Sequence, residues 1–218
     1  MSIPSPRPRS RLAFGATGGV LLVLSVALGA WVLARGNEPF TLDAAWNTLL
    51  VGVDWPPFDV SARFLNIAGG VIVSSLVVPV AGVVLLLALR RPWSAGYFVA
   101  AIALSGLLVQ ILKHLFGRAR PEQILVISDY GSYPSGHVAN AATLAAVLVV
   151  LLPRAWTLAV AVIWVIVMAL SRTYLHAHWL SDTLGGAFVG VGIALVCAAL
   201  MYHRLDKERA RRRDPVFS

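Results

Sequence analysis

Ionisable side chains are concentrated in one short stretch of an otherwise apolar chain, SRTYLHAHWLSD at residues 171–182. Within it, His178 and Asp182 are four residues apart, so they share a face of a helix that begins near Trp179. An aspartate that accepts a hydrogen bond from one imidazole nitrogen fixes the tautomer and leaves the other nitrogen free to attack. The spacing predicts that His178 is a nucleophile and that Asp182 orients it.

A second histidine in the same stretch competes for this role. His176 is six residues from Asp182, which places it off the helical face that His178 shares with the carboxylate. We therefore expect His176 to support the site or to lie at the membrane interface, and not to attack.

Two more polar stretches precede this one, KHLFGRARP at 113–121 and YPSGH at 133–137. Together the three stretches supply the cations Lys113, Arg120 and Arg172. Arginine binds phosphate oxygens in a bidentate manner and lysine adds a point charge. The set predicts a pocket for a phosphoryl group.

The start of a helix at YPSGH completes this pocket. Ser135 and Gly136 are predicted to begin the helix, where free backbone N–H groups and the helix dipole favour an anion. Gly136 lets a phosphate approach the backbone closely. His137 follows directly and is predicted to be the general acid that protonates the departing alkoxide.

A metal site is the alternative chemistry for a cluster of histidine and aspartate. HAH alone is a weak zinc motif, and the outer carboxylates other than Asp182 are not clustered with a histidine at ligand spacing. Three cations around one pocket also repel a divalent ion. We therefore expect no metal and no cofactor.

The elements that must position these residues are membrane spans. The chain has 218 residues, of which 58% are hydrophobic and 13% charged, and several apolar runs approach the roughly 20 residues that a spanning helix needs. The predicted fold is all-α, a single domain over 1–218 formed by a six-helix transmembrane bundle. The predicted spans are about 12–34, 70–89, 95–112, 135–152, 155–170 and 184–202.

Residues 36–69 form the longest connection between spans. It contains WPPF at 55–58, flanked by short apolar stretches. We expect short amphipathic helices here, lying along the outer surface and broken at Pro56 and Pro57.

The distribution of Lys and Arg predicts the orientation. Cytoplasmic loops carry an excess of these residues. With both termini in the cytoplasm, twelve of the 18 lie inside and six outside, which favours that topology and places the three polar stretches at the outer face. The basic run RARRR at 209–213 is expected to contact anionic lipid headgroups and not nucleic acid.

The three motifs, K-x6-RP at 113–121, PSGH at 134–137 and SR-x5-H-x3-D at 171–182, resemble those of the type 2 phosphatidic acid phosphatase superfamily. That superfamily also includes soluble acid phosphatases and vanadium haloperoxidases. All three motifs are complete and in order, and the resemblance runs from the third span to the sixth.

The resemblance implies a metal-independent phosphohistidine mechanism in an integral membrane protein of the cell membrane. It implies that His178 forms the phosphohistidine, Asp182 orients it and His137 protonates the leaving group. It also implies that phosphate is held by Lys113, Arg120, Ser135, Gly136 and Arg172. Arg118 and His176 occupy variable positions of the motifs, so the resemblance assigns them no role.

The expected function is a lipid phosphatase, with undecaprenyl diphosphate, phosphatidic acid and phosphatidylglycerol phosphate as open alternatives for the substrate. A lipid phosphotransferase would use the same residues. A transporter is disfavoured because the middles of the spans are nearly all apolar, and a haloperoxidase because those proteins resemble soluble bundles. The sequence leaves the oligomeric state open.

Overall fold

The computed structural model describes residues 8–53, 55–70 and 72–211, and within them every regular element is helical. A π-helical turn, Val73–Val77, leads directly into α4. The α-helices are α1 (Pro8–Ala34), α2 (Thr41–Val51), α3 (Pro56–Ala68), α4 (Val78–Ala88), α5 (Pro92–Phe116), α6 (Gly136–Leu151), α7 (Ala155–Tyr174), α8 (Leu180–Leu200) and α9 (Tyr202–Arg211).

Among the described residues, four helices are long and apolar enough to cross a membrane: Ser10–Ala34 within α1, and α5, α7 and α8. The other two predicted spans correspond to shorter apolar helices, α4 and α6. The all-helical class is therefore confirmed, while helix length supports four of the six predicted spans.

Helices α5 and α8 extend further toward the polar stretches than predicted. Helix α5 continues through Lys113 to Phe116, and α8 begins at Leu180 instead of 184. The prediction ended each span at its polar residues. Lys113 and Asp182 stay inside their helices because both side chains are buried against partners there.

Helix α8 lies at the centre of the bundle and packs against α1, α5, α6 and α7. Glycine makes the approach to α6 possible. A Cβ atom at Gly190 would lie 2.2 Å from the carbonyl oxygen of Ala139, and one at Gly186 would lie 2.5 Å from that of Ser135. The close contact holds the start of α6 beside the start of α8, so two of the polar stretches meet.

The first long connection contributes α2 and α3, which pack against α7. Pro56 and Pro57 stand in the first turn of α3, where proline's fixed φ suits a helix and its missing N–H leaves no bond unmade. The start of α2 brings Asp43 to the polar side of the bundle, and the end of α3 brings Asn66 to it.

Three of the basic residues used to predict the orientation, Arg7, Arg212 and Arg213, lie outside the described residues. The described part of the C-terminus, α9, is tied to the start of α5. Glu208 accepts hydrogen bonds from the backbone N–H groups of Trp93, at 2.8 Å, and Ser94, at 3.1 Å. These are N–H groups that have no partner within their own helix.

Candidate active site

A cavity of about 300 Å³ opens where the three polar stretches meet. Its walls come from the ends of α3, α5, α6 and α7 and from the loops that follow α5 and α7. Six of the eight predicted site residues line it: Lys113, Arg120, Gly136, His137, Arg172 and His178. The structure therefore brings together residues that are up to 65 positions apart in sequence.

His178 is held with a defined tautomer. Its Nδ1 lies 2.8 Å from the carbonyl oxygen of Ser132, and a carbonyl can only accept, so Nδ1 carries the hydrogen. In the neutral ring Nε2 is then the nitrogen with the lone pair. Nη1 of Arg120 lies 3.2 Å from Nε2 and donates to it. The ring presents its basic nitrogen beside a cation that can bind a ligand.

Asp182 stands behind His178 but is not its direct hydrogen-bond acceptor. Oδ2 of Asp182 is 3.7 Å from Nδ1 of His178, beyond hydrogen-bond distance. The same Oδ2 accepts the backbone N–H of Trp179 at 2.9 Å. The carboxylate is drawn toward the helix N-terminus because free N–H groups are concentrated there. The sequence predicted the pairing of the two residues, whereas in the structure the carbonyl of Ser132 fixes the tautomer.

The environment keeps His178 neutral. Burial is the main cause that lowers the pKa of the imidazole well below its ordinary value of about 6.5, and the positive charges of Arg120, Lys113 and Arg172 lower it further. The ring is therefore neutral at neutral pH, with its hydrogen on Nδ1, and Nε2 can act as a nucleophile or base.

Arg118 lies at the centre of a buried ionic network, although the motifs gave it no role. Only 1% of its surface is exposed. Nη1 donates to Oδ1 of Asp182 at 2.6 Å and Nη2 donates to Oδ2 of Asp43 at 2.8 Å. The guanidinium also lies over the ring of Trp179 at 5.6 Å. One cation is thus shared by two carboxylates that are themselves buried.

Both carboxylates occupy the same position, the third residue of a helix. Asp43 accepts the N–H of Phe40, before α2, as Asp182 accepts that of Trp179, before α8. Asp43 also accepts the backbone N–H and the hydroxyl of Ser181, at 2.8 and 2.7 Å. The network therefore fastens the N-terminus of α2 to that of α8.

Lys113 and Arg120 share two acceptors in the loop after α5. Nζ of Lys113 lies 2.6 Å from the carbonyl oxygen of Gly131, and Nη2 of Arg120 lies 2.8 Å from it. Both also donate to Oδ1 of Asp129, at 3.3 and 2.7 Å. Arg120 makes another bond, to the carbonyl of Ala177. These contacts aim the two cations at the same part of the cavity.

Arg172 is the third cation, and Asn66 orients it. Nη1 of Arg172 donates to Oδ1 of Asn66 at 2.8 Å. Its buried Nε and Nη2 have no hydrogen-bond partner among the described residues. Buried donors without a partner are expensive, so an oxyanion in the cavity is the natural acceptor for them.

His137 is held by the backbone of Asn66. Its Nε2 lies 3.1 Å from the carbonyl oxygen of Asn66 and donates to it, which leaves Nδ1 to gain and lose a proton. The approach requires glycine at position 69, because a Cβ atom there would lie 2.5 Å from Cδ2 of His137.

Ser135 and Gly136 differ in their placement. Gly136 begins α6 and lines the cavity. Ser135 lies behind the lining, and its backbone N–H donates to the carbonyl of Asp182 at 3.0 Å. Its buried hydroxyl has no partner among the described residues. At the start of α6, the residues that line the cavity therefore begin with Gly136.

His176 has a separate environment. Its Nδ1 lies 2.7 Å from Oδ1 of Asn47 in α2, and the residue does not line the cavity. Residues 8–53, 55–70 and 72–211 contain no group of three or more His, Cys, Asp or Glu side chains arranged to hold a metal ion. The donors that do converge on the cavity are cationic and suit an anion.

Besides Arg118, to which the motifs gave no role, sequence reasoning missed five contributors to the site: Asp43, Asn66, Gly69, Asp129 and Ser132. Ser132 acts through its carbonyl, which any residue has, so no sequence pattern marks it. Asn66 and Gly69 lie in a connection far from the motifs. Asp43 had a usable indication, because an acidic residue in the first turn of a predicted helix is a common cap.

Known proteins resemble this chain in sequence. The profile of the PAP2 superfamily matches residues 94–206, more than half of the chain. Decaprenylphosphoryl-5-phosphoribose phosphatase of Mycobacterium tuberculosis is 33% identical over 170 residues, which cover 74% of this chain and 89% of that protein. Lipid A 1-phosphatase of Rhizobium etli is 31% identical over 132 residues, and the chain spans only about half of its length.

The fold has a counterpart among solved structures. The transmembrane PAP2 type phosphatidylglycerolphosphate phosphatase of Bacillus subtilis superposes with a TM-score of 0.66 and 23% identity, over 86% of this chain and 96% of that one. The apolar helices and this similarity identify a multi-pass membrane protein. The profile match and the mycobacterial relative confirm the family to which the three motifs pointed: the chain belongs to the PAP2 superfamily.

Proposed function

We propose that this protein is a membrane lipid phosphatase that works through a phosphohistidine on His178. The observation that carries the proposal is the placement of the lone pair on Nε2 of His178 beside a cavity that Lys113, Arg120 and Arg172 also line. A nucleophile surrounded by cations suits an electrophile that is itself an anion, such as a phosphoryl group.

In the first half-reaction, Nε2 attacks phosphorus and the bond from phosphorus to the lipid oxygen breaks. The three cations stabilise the charge on the equatorial oxygens, with Arg172 offering the donors that lack partners in the free protein. As His178 gains a phosphoryl group its ring becomes positive. The carboxylate of Asp182, 3.7 Å from Nδ1, stabilises that charge across a short distance.

His137 serves the leaving group. Its Nε2–H is engaged with Asn66, so the imidazolium form gives the proton on Nδ1 to the departing alkoxide. The neutral ring then takes a proton from the water that attacks phosphorus, as the bond from phosphorus to His178 breaks and phosphate leaves. Apart from that water, both half-reactions use only groups of the protein. The donor set around the cavity therefore supports a metal-independent mechanism.

The substrate class is a phosphate or diphosphate ester of a membrane lipid. The two relatives named above are phosphatases of a prenyl-linked phosphoribose and of lipid A. The two lipids differ, and what their names share is a phosphate carried by a membrane lipid. The cavity also continues below Lys113 to Ser105 and Gly106 within α5, which supports entry from the bilayer.

The first prediction concerns activity. Purified protein should release phosphate from lipid phosphates, and the release should persist in EDTA because no step requires a metal. A suitable panel contains phosphatidic acid, phosphatidylglycerol phosphate, undecaprenyl diphosphate and decaprenylphosphoryl-5-phosphoribose. His178→Ala should lose more than the roughly 10²–10⁴-fold that removal of a general acid or base causes.

His176→Ala is the matched control, since the two histidines are neighbours in the same loop and only His178 lines the cavity. Its activity should remain close to that of the wild type. Unchanged activity in His178→Ala, or activity that disappears in EDTA and returns with Mg²⁺ or Zn²⁺, would contradict the proposal.

A second prediction tests the part that α3 plays. Gly69→Ala should lower kcat by about tenfold or more, short of the full loss of a general acid, because the new methyl group displaces His137. Gly52→Ala is the control: both glycines end a helix with φ −88°, and nothing lies within 4 Å of a Cβ at Gly52. Equal kcat values in the two variants would show that activity does not depend on the close contact between Gly69 and His137.

The orientation generates a third prediction. With both termini in the cytoplasm, the cavity faces the outer leaflet. Single cysteines at Ile127 and Arg154, both exposed, test this in a Cys197→Ser background. An impermeant thiol reagent added to intact cells should label position 127 and not position 154. The opposite pattern would place the cavity in the cytoplasm and exclude outer-leaflet substrates.

A further inference from the structure

The carboxylate of Asp129 binds two of the three cations that line the cavity, Lys113 and Arg120. Oδ1 of Asp129 accepts hydrogen bonds from Arg120 at 2.7 Å and from Lys113 at 3.3 Å. Asp129 lines the same cavity as His178. Its carboxylate therefore makes, with two of the three cations, the contacts that phosphate oxygens would make.

Asp129 differs from the other acids near the cavity in how firmly it is held. The side chains of Asp43 and Asp182 are at most 2% exposed and accept backbone N–H groups, whereas 55% of the Asp129 side chain is exposed. It belongs to the loop between α5 and α6, beside the fully exposed Ile127. An exposed carboxylate on a loop can leave its partners at little cost.

The two cations do not depend on the carboxylate of Asp129 for their positions, although Arg120 also donates to the backbone carbonyl of that residue at 3.1 Å. Lys113 retains the carbonyl of Gly131, and Arg120 retains the carbonyls of Gly131 and Ala177. When the carboxylate withdraws, both cations stay directed at the cavity by backbone acceptors. The site can therefore exchange one anion for another without rearrangement.

We propose that Asp129 is an internal competitor for the phosphate site, displaced by a dianionic phosphate and able to exclude a monoanionic one. The inference rests on the proposed function and adds a selectivity to it. A phosphate monoester carries close to two negative charges above its second pKa of about 6. A phosphodiester carries one, as the carboxylate does.

The selection follows from this difference in charge. A phosphodiester that replaces Asp129 brings no additional charge to the three cations, and it competes against a group that is tethered at high effective concentration. A monoester brings one more charge and a further oxygen for the free donors of Arg172. Replacement of the Asp129 carboxylate is therefore favourable for a monoester and unfavourable for a diester.

The consequence matters for a site that opens into a membrane. Most headgroup phosphates in a bilayer are diesters, and they are present in large excess over any lipid monoester. A bare cationic cavity would fill with them. With Asp129 in place, the abundant lipids do not inhibit, and the scarce monoester or diphosphate substrate does enter.

The test compares wild type with Asp129→Asn, which keeps the shape and removes the charge, and Asp129→Ala, which removes both. Inhibition of phosphate release is measured at pH 8 in mixed micelles, with orthophosphate and with phosphatidylglycerol as inhibitors. Glu122→Gln is the control, because Glu122 is an exposed acid in the same loop that does not line the cavity.

Both Asp129 variants should bind orthophosphate about tenfold more tightly than wild type, because the fraction of sites open to a ligand rises when the competitor is removed. Phosphatidylglycerol should inhibit the variants and leave wild type and Glu122→Gln unaffected. Unchanged or weaker orthophosphate binding in the variants, or equal inhibition of all four proteins by phosphatidylglycerol, overturns the inference.

Failure of this inference is distinguishable from failure of the proposed function. If wild type releases phosphate from no lipid of the panel, the proposed function is wrong. If wild type and both variants are active but share the same inhibition constants, the phosphatase stands and Asp129 is not a competitor.

Discussion

The position of His178 depends on one buried cation, Arg118. Its side chain bridges Asp43 and Asp182 and so joins the N-termini of α2 and α8. The backbone carbonyl oxygen of Arg118 accepts the N–H of Ser132 at 2.8 Å. The carbonyl of Ser132 in turn accepts a hydrogen bond from Nδ1 of His178. A charge buried at a membrane edge must be paired. Arg118 therefore fixes both groups beside the imidazole. Its backbone holds Ser132, whose carbonyl orients the ring, and its side chain holds the carboxylate of Asp182 behind the ring.

Two groups divide the tasks that a single aspartate could perform for a histidine nucleophile. The neutral carbonyl of Ser132 sets the tautomer. Asp182, at 3.7 Å, supplies negative charge. Arg118 compensates part of that charge, while burial and the cations around the cavity keep His178 neutral. In the proposed mechanism the ring would then face a carboxylate when it becomes positive. The cations on the other side of the ring also lower its pKa, and in the proposed mechanism they would bind the anion that it attacks.

The motifs were sufficient to predict which side chains gather, because charged residues at the ends of spans are costly unless they face a cavity or one another. Six of the eight predicted residues line one cavity. The orienting groups were not predictable in the same way. Ser132 contributes only a carbonyl, and Asn66 approaches from α3 through a contact that depends on Gly69. Hydropathy located all six apolar runs, but two of them form α-helices shorter than a full span. The run that contains α4 begins with the π-helical turn, and α6 ends because the backbone of Leu152, with φ −130° and ψ 75°, is no longer helical.

The central claim, a covalent intermediate on His178, is tested most directly by trapping it. Purified protein is mixed with a lipid phosphate labelled with phosphorus-32, quenched in alkali within milliseconds, and digested for peptide mapping. A phosphohistidine is stable to base and labile to acid. We expect base-stable, acid-labile label on the peptide that contains His178, and none in His178→Ala. Label on another residue, or acid-stable label, would contradict a phosphohistidine at this position.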